Sequence, residues 1–568
     1  MKNTTAWMLF TVLMTLFAAT FLWPIGQIVK QGFFDAEGHL TLKYLIGVFE
    51  NPVYVEGLIN SLKIAVGTTV LVCLIAVPLA WLANRYDFAG KSLFQAVLLV
   101  PMILPPFVGA IGFTQMFGQY GAINSLFGLS VDWIGSGQYF GVILLQALGL
   151  YPILYLNVAA ALANIDPAME RAAENLGCTG FKKFRRITLP LIMPGLFAGG
   201  TIVFIWAFTE LGTPLIMQYN RCTPVQVFDA LKDIGKDPFP YALVFVMLVA
   251  SVVLYAVGKF IFGRNSYAMQ SKAATASGIV RAVGWRAWGI PLVFSVVCFV
   301  ALLPHLGVVL TSFSRAGSWY QTVWPAELTL HHYSEALGHD MTVSSIGNSL
   351  LFASLSVFLN LLIGVAVAFV VVRSRVPLRG MLDAMAMLPL AVPGIVMAFG
   401  YLSISTWAAN LPAVKENDWL KALFDVRTNP TFFLVVAYAV RRLPYMVRSA
   451  VAGLQQTSVT LEEASANLGA SGLTTIRRIT LPLILANLIA GAMLAFAFSM
   501  LEVSDSLMLA QRADYFPITK TIYELFQMIG TGKYLASALG VWAMVFLATT
   551  ILGASLILGR KMGAIFRV

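Results

Sequence analysis

Charge is what this sequence has least of. Only 11% of its 568 residues are Asp, Glu, Lys or Arg, against about 25% in soluble globular proteins. That is too little polar surface to face water, and the composition also excludes a disordered or collagen-like chain. Cysteine is equally scarce. Cys73, Cys178, Cys222 and Cys298 are too widely spaced for a metal site or a disulfide scaffold. His39, His305, His331, His332 and His339 do not stand at ligand spacing on one helix, so no metal site is expected. A nucleotide site is missing too. Gly90-Lys91-Ser92 looks like the end of a phosphate-binding loop, but Arg85 stands where its first glycine is required.

What the sequence has instead is apolar length. It is 59% hydrophobic, with a mean hydropathy of +0.80. A spanning helix needs roughly 20 mostly apolar residues. Stretches free of Asp, Glu, Lys and Arg are Ala6–Val29, Ile64–Ala83, Ser92–Val131, Trp133–Ile165, Ile187–Thr209 and Pro238–Gly258. A second set comprises Ala287–Ser314, Met341–Val372, Ala384–Val414, Thr428–Val440, Ile479–Leu501 and Tyr534–Gly559. The expected fold is an all-α polytopic membrane protein with about 12 transmembrane helices. The tenth stretch is interrupted by Arg441 and Arg442 and must run on through Leu443–Val447. The first lacks a small-residue cleavage motif and reads as a retained helix.

In a soluble protein the net charge of +11 would suggest nucleic acid. In a membrane protein it reflects basic residues kept on the cytoplasmic side. With the N-terminus inside and the loops alternating, the inner segments hold most of the 37 lysines and arginines. Both termini are then cytoplasmic, and no nucleic-acid partner is expected.

The chain repeats itself. Asn60-Ser61-Leu62 recurs as Asn348-Ser349-Leu350, and at the same offset Ala80, Arg85, Pro101, Pro105 and Gly112 match Ala368, Arg373, Pro389, Pro393 and Gly400. The match tightens further on, where ERAAENLGCTGFKKFRRITLPLI (170–192) aligns with EEASANLGASGLTTIRRITLPLI (462–484). Two six-helix halves, residues 1–262 and 287–568, are joined by a small, polar, basic cytoplasmic linker over 263–286. An even number of spans per half makes the repeat parallel, related by an axis along the membrane normal.

The tight segment lies between the fourth and fifth span of each half. Met169–Leu176 and Leu461–Leu468 can form short amphipathic helices, with Asp166-Pro167 and Thr460 as start signals. Gly177 and Gly469 would end them in a left-handed conformation. A short helix stopped by glycine and tied to the next span is a lever that could carry a soluble partner's movement into the bundle.

This segment resembles the EAA motif of permease subunits of bacterial type I ABC importers. Its cores here are Glu170, Ala172 and Ala173 with Gly177, and Glu462, Ala464 and Ser465 with Gly469; Ser465 departs from the usual alanine. The resemblance extends to the whole architecture, since fused permeases with two six-span halves are known. It implies the type I importer permease fold, and a coupling helix in each loop seated on one of two copies of an ABC ATP-binding subunit. ATP and magnesium would be bound on those subunits, so this chain needs no cofactor and is not an enzyme. A periplasmic substrate-binding protein would deliver solute at the bacterial inner membrane.

Acidic residues inside apolar spans point to a pathway by default. Glu210 and Glu502 are equivalent in the repeat, and Asp505 shares a helical face with Glu502. They are candidates for the translocation path; otherwise each caps a broken helix or pairs with a neighbouring arginine. Arg441 and Arg442 replace Gly149 and Leu150 of the first half, and are expected to snorkel to the cytoplasmic surface rather than face a vestibule. The third-span prolines 101, 105, 106, 389 and 393 should kink their helices. Similarity to fused permeases makes ferric iron the first-choice solute, with 2-aminoethylphosphonate, thiamine, sugar phosphate and polyamines as alternatives. An ion-coupled secondary transporter or a membrane scaffold would also show buried acids or an ATPase partner, but neither accounts for both the duplicated loop and solute flux.

Overall fold

The computed structural model describes residues 3–34, 37–103, 106–134, 139–234, 237–262 and 279–558. Among these, nine helices are long and apolar enough to cross a membrane. They are Thr4–Phe33, Pro52–Arg85, Tyr139–Ala163, Gly180–Ile216, Phe239–Gly258, Trp285–Phe313, Asp340–Arg373, Gly472–Met500 and Gly532–Ile551. Two further spans are helix pairs broken near proline. Arg379–Leu390 and Gly394–Ala409 meet at 99° across Pro393; the equivalent break in the first half falls on residues 104 and 105, outside the described residues. By the same measure the described residues hold up to eleven spans. Thr431–Gln456, one helix through Arg441 and Arg442, is too polar to count among them and is numbered as a span because it packs between the helices Asp340–Arg373 and Leu481–Met500. In chain order these are spans 1 to 12, six in each half, with Lys91–Phe127 as span 3, Arg379–Ala409 as span 9 and Thr431–Gln456 as span 10.

The repeated residues explain how the halves interlock. Gly112 of span 3 lies against the backbone of span 7, where a Cβ would overlap the Pro304 carbonyl. Its counterpart Gly400 of span 9 lies against span 1, with a Cβ only 2.9 Å from the Pro24 oxygen. Each half's third span thus receives the other half's first span. A bare glycine lets two backbones approach closely where lipid gives helices no hydrophobic reason to associate. Polar bonds fix these crossings. The Tyr401 hydroxyl donates to the Thr20 carbonyl at 2.7 Å, and Gln31 Nε2 donates to Ser403 Oγ at 3.0 Å.

The repeated Asn-Ser pair has an equally definite task. Ser61 accepts the Thr223 amide at 2.9 Å and Asn60 donates to the Arg221 carbonyl at 3.0 Å. Ser349 accepts the Ile518 amide at 2.8 Å, and Asn348 donates to the Asp514 carbonyl at 2.8 Å. In both halves spans 2 and 8 therefore satisfy the free backbone groups of a short helix, Thr223–Asp229 or Ile518–Gln527. The two short helices touch through Phe228 and Tyr523, whose ring centres are 6.0 Å apart. Residues 263–278 of the expected linker lie outside the described residues. Its end is held, because Val280-Arg281 pairs in parallel with Tyr86-Asp87 after span 2.

Candidate functional site

The first motif helix is Pro167–Asn175 and the second Val459–Asn467. Asp166 caps the first as expected, accepting the Ala168 amide at 2.8 Å. The second is capped by Ser458, which accepts the Thr460 amide, so the start signal lies two residues before the expected Thr460. Gly177 and Gly469 have φ of +76° and +82°. Cys178 N–H bonds the Ala173 carbonyl, and Ala470 N–H the Ser465 carbonyl, the six-to-one closure that ends a helix on a left-handed residue. A Cβ on either glycine would meet nothing within 4 Å. Glycine is needed there for backbone conformation alone.

The motif glutamates turn inward, away from any partner. Glu170 accepts from Arg85 at 3.0 Å and from Thr188 Oγ1 at 3.3 Å. Glu462 accepts from Arg373 at 3.0 Å and from Thr480 Oγ1 at 3.5 Å. Arg85 and Arg373 are the last residues of spans 2 and 8. Each helix is thereby pinned both to the end of one span and to the start of the next. Arg373 also donates to the carbonyls of Leu454 and Thr457. In both halves the following span begins with a π-helical turn, Phe184–Thr188 and Ile476–Thr480, a distortion often found at functional sites.

The two loops are closed by different chemistry. In the first, Lys183 bridges Glu174 at 2.7 Å and Glu170 at 3.5 Å, and this bonding holds the Glu174 carboxyl below its ordinary range. In the second, Thr475 and Ala466 stand where Lys183 and Glu174 do, so the ion pair is gone, and Thr475 bonds Ser465 at 2.9 Å in its place. Ala173 and Ser465 are buried beneath their helices, while Ala172 and Ala464 are exposed. Leucines stand out at each tip: Leu176 is 88% and Leu468 89% exposed. Phe181 and Leu473, also equivalent, are exposed beside them. Burying one such leucine in a partner's groove is worth about 1.5–3 kcal/mol.

Of the three candidate path residues, Glu210 and Glu502 face one cavity, while Asp505 stands behind its lining on Arg441. The cavity, of about 150 Å³, is lined by both halves. Equivalent pairs face it: Pro101 and Pro389, Ile153 and Tyr445, Trp206 and Phe498, Glu210 and Glu502. Span 5's long helix ends at Thr209, and Glu210 accepts the Thr213 amide that opens the short helix Gly212–Ile216, at 2.9 and 3.2 Å. Glu502 sits at the matching break between Leu481–Met500 and Ser504–Leu509, with its carbonyl held by Ser506 and Thr519.

Here Arg441 and Arg442 overturn the snorkelling expectation. Both turn into the bundle: Arg441 meets Glu502 at 2.6 Å and Asp505 at 3.6 Å, and Arg442 donates to Glu502 and to the Phe498 carbonyl. The reason is depth. Span 10 continues for 14 residues beyond Arg442 to Gln456, roughly 20 Å at 1.5 Å per residue, farther than a side chain reaches. Gly394, at the bend of span 9, makes room; any Cβ there would overlap the Arg441 guanidinium.

Comparison with known proteins adds the following. The family described as "Binding-protein-dependent transport system inner membrane component" matches residues 74–270 and again 360–559. The ferric transport system permease protein FbpB of Actinobacillus pleuropneumoniae is 25% identical over 512 residues, covering 85% of this chain and 68% of that protein. A probable molybdenum ABC transporter permease of Haloferax volcanii is 32% identical over 206 residues, 36% of this chain and 75% of that protein. The putative 2-aminoethylphosphonate transport system permease PhnU of Salmonella choleraesuis is 27% identical over 268 residues, 46% of this chain and 92% of that protein.

Proposed function

We propose a specific transport role from the premise that this chain belongs to the family of binding-protein-dependent transport system inner membrane components, matched once in each half. It is a fused, multi-pass permease of a type I ABC importer, a transport component and not an enzyme. Our reading is that its solute is ferric iron, handed over by a periplasmic binding protein. Each motif loop seats one ATP-binding subunit, so one chain carries two. ATP and magnesium are held on those subunits, and both termini face the cytoplasm.

The observation that most supports coupling is the geometry of the loops. Each presents an exposed leucine outward and locks its glutamate inward onto the arginine that ends span 2 or 8. A push on the leucine tip is thus delivered to two spans at once. Closure of the ATPase pair would move both loops, and the cavity between the halves would open alternately to either side. For iron the support is the ferric permease that aligns along both halves, whereas the 2-aminoethylphosphonate permease aligns along less than half of this chain.

The test is uptake into proteoliposomes carrying the complete complex. Binding protein loaded with radiolabelled ferric iron should give ATP-dependent accumulation that survives an uncoupler. Uptake of 2-aminoethylphosphonate or molybdate with none of iron would overturn the iron reading. Accumulation without ATP, abolished by the uncoupler, would overturn the importer mechanism.

A further inference from the structure

The two halves of the repeat place equivalent carboxylates on one cavity but treat them differently. In the second half, Glu502 is engaged by both Arg441 and Arg442, and Asp505 lies 3.6 Å from Arg441. Two guanidiniums therefore offset two carboxylates, and that wall is neutral in sum. In the first half the arginine positions are Gly149 and Leu150, which line the same cavity. Glu210 meets no lysine or arginine in any ion pair among the described residues. Besides the Thr213 amide, its carboxylate faces the Thr213 hydroxyl, the Gln146 side-chain amide and the Gly212 N–H, all of them neutral donors.

We infer that Glu210 is the carboxylate that receives a cationic solute in transit, while Glu502 and Asp505 are committed to Arg441 and Arg442 as a fixed wall. This assignment rests on the transport reading above and refines it. Two arginines and two glutamates line the cavity, and Asp505 stands behind them on Arg441; the five groups together leave one carboxylate in excess, on the first-half side. An anion entering it would have to take Arg441 from two carboxylates already in place. A cation finds Glu210 paired with no basic group among the described residues and has only neutral donors to displace. Among the described residues no group of three or more His, Cys, Asp or Glu stands together as a metal cage. A single carboxylate suits passage, which needs binding strong enough to admit a solute and weak enough to release it.

The test uses the reconstituted complex and measures iron imported per ATP hydrolysed for Glu210→Gln, Glu210→Asp and Glu502→Gln. Glutamine keeps the acceptor for the Thr213 amide, so the short helix remains capped. Removing the charge should lower iron imported per ATP by about tenfold or more, the scale of one charge-assisted contact. Aspartate should restore much of it. Glu502→Gln should instead lower the yield of folded complex. Glu210→Gln that imports as wild type, or Asp no better than Gln, would overturn the assignment. Loss of folded complex in Glu210→Gln would also overturn it, by showing a cap and nothing more. If the wild-type complex imports an oxyanion in place of iron, the cation assignment falls with the iron reading. If it imports another cation, iron alone falls, and the same Gln and Asp comparison made with that cation decides Glu210.

Discussion

Replacing Glu502 by glutamine is expected to destabilise the second half by about 3–5 kcal/mol, the usual cost of leaving a buried charge without its partner. Glu502 is 4% exposed and is the only carboxylate on Arg442 among the described residues. Arg441 would keep Asp505, but Arg442 would retain only the Phe498 carbonyl and the face of its ring. A second change should undo most of the damage. Arg442→Leu installs the residue that the first half carries as Leu150, so the double variant is uncharged at both altered positions while Arg441 stays paired with Asp505. The unfolding midpoint of the purified protein in detergent, read by a fluorescence melt for the wild type, both single variants and the double, gives the coupling directly. A double variant whose loss equals the sum of the two single losses would show that the two side chains do not act on one another.

The second large effect is expected at the loop tips. Substituting valine for both Gly177 and Gly469 forces a β-branched residue to φ near +80°, costing about 1–2 kcal/mol at each position. Because no atom crowds either site, the penalty falls on the backbone of the last helical turn and leaves the packing of the spans alone. Cys178 and Ala470 would lose their closing bonds, and Leu176 and Leu468 would shift. The double variant should insert and purify normally yet import solute at near background, while its ATPase subunits hydrolyse ATP uncoupled from uptake. Gly→Ala at both sites should have a milder effect in the same direction. Normal uptake by the valine double variant would show that the loop tips do not transmit the stroke.

Much of this architecture was legible in the sequence, for a physical reason. In lipid, span length and apolarity are dictated by bilayer thickness, so the charge-free stretches marked the helices closely. The repeat identified residues whose purposes only the structure supplies. Arg85 and Arg373, flagged merely as matching, are the clamps of the motif glutamates; their place at the ends of equivalent helices, facing an equivalent glutamate, was the available signal. Gly112 and Gly400 turned out to be contacts between the halves, and Asn60-Ser61 and Asn348-Ser349 tethers for the short helices.

Arg441 and Arg442 were misread because an arginine in an apolar run has two ways to avoid lipid. Snorkelling is the commoner one near a helix end. The deciding facts were where span 10 ends and that Glu502, sixty residues away, arrives beside it. Neither is a local property. The breaks in spans 5 and 11 were by contrast legible, since the charge-free stretches end at Thr209 and Leu501, just before an acidic residue in each half; the short helices that follow were not. Glu210 and Glu502 line one cavity, and the two other readings of them are both realised, one as a cap and the other as an ion pair. The half that lacks the arginines is what separates their roles.

The central claim is that one chain carries two working coupling loops, each holding one ATP-binding subunit. The most direct measurement is the native mass of the complex extracted gently from its membranes, for the wild type beside Leu176→Asp and Leu468→Asp. Both leucines are almost fully exposed, so neither change disturbs the fold. The expected result is one chain with two ATP-binding subunits in the wild type and with one in each single variant. A wild-type chain that carries none, or variants that still hold two, would contradict the account.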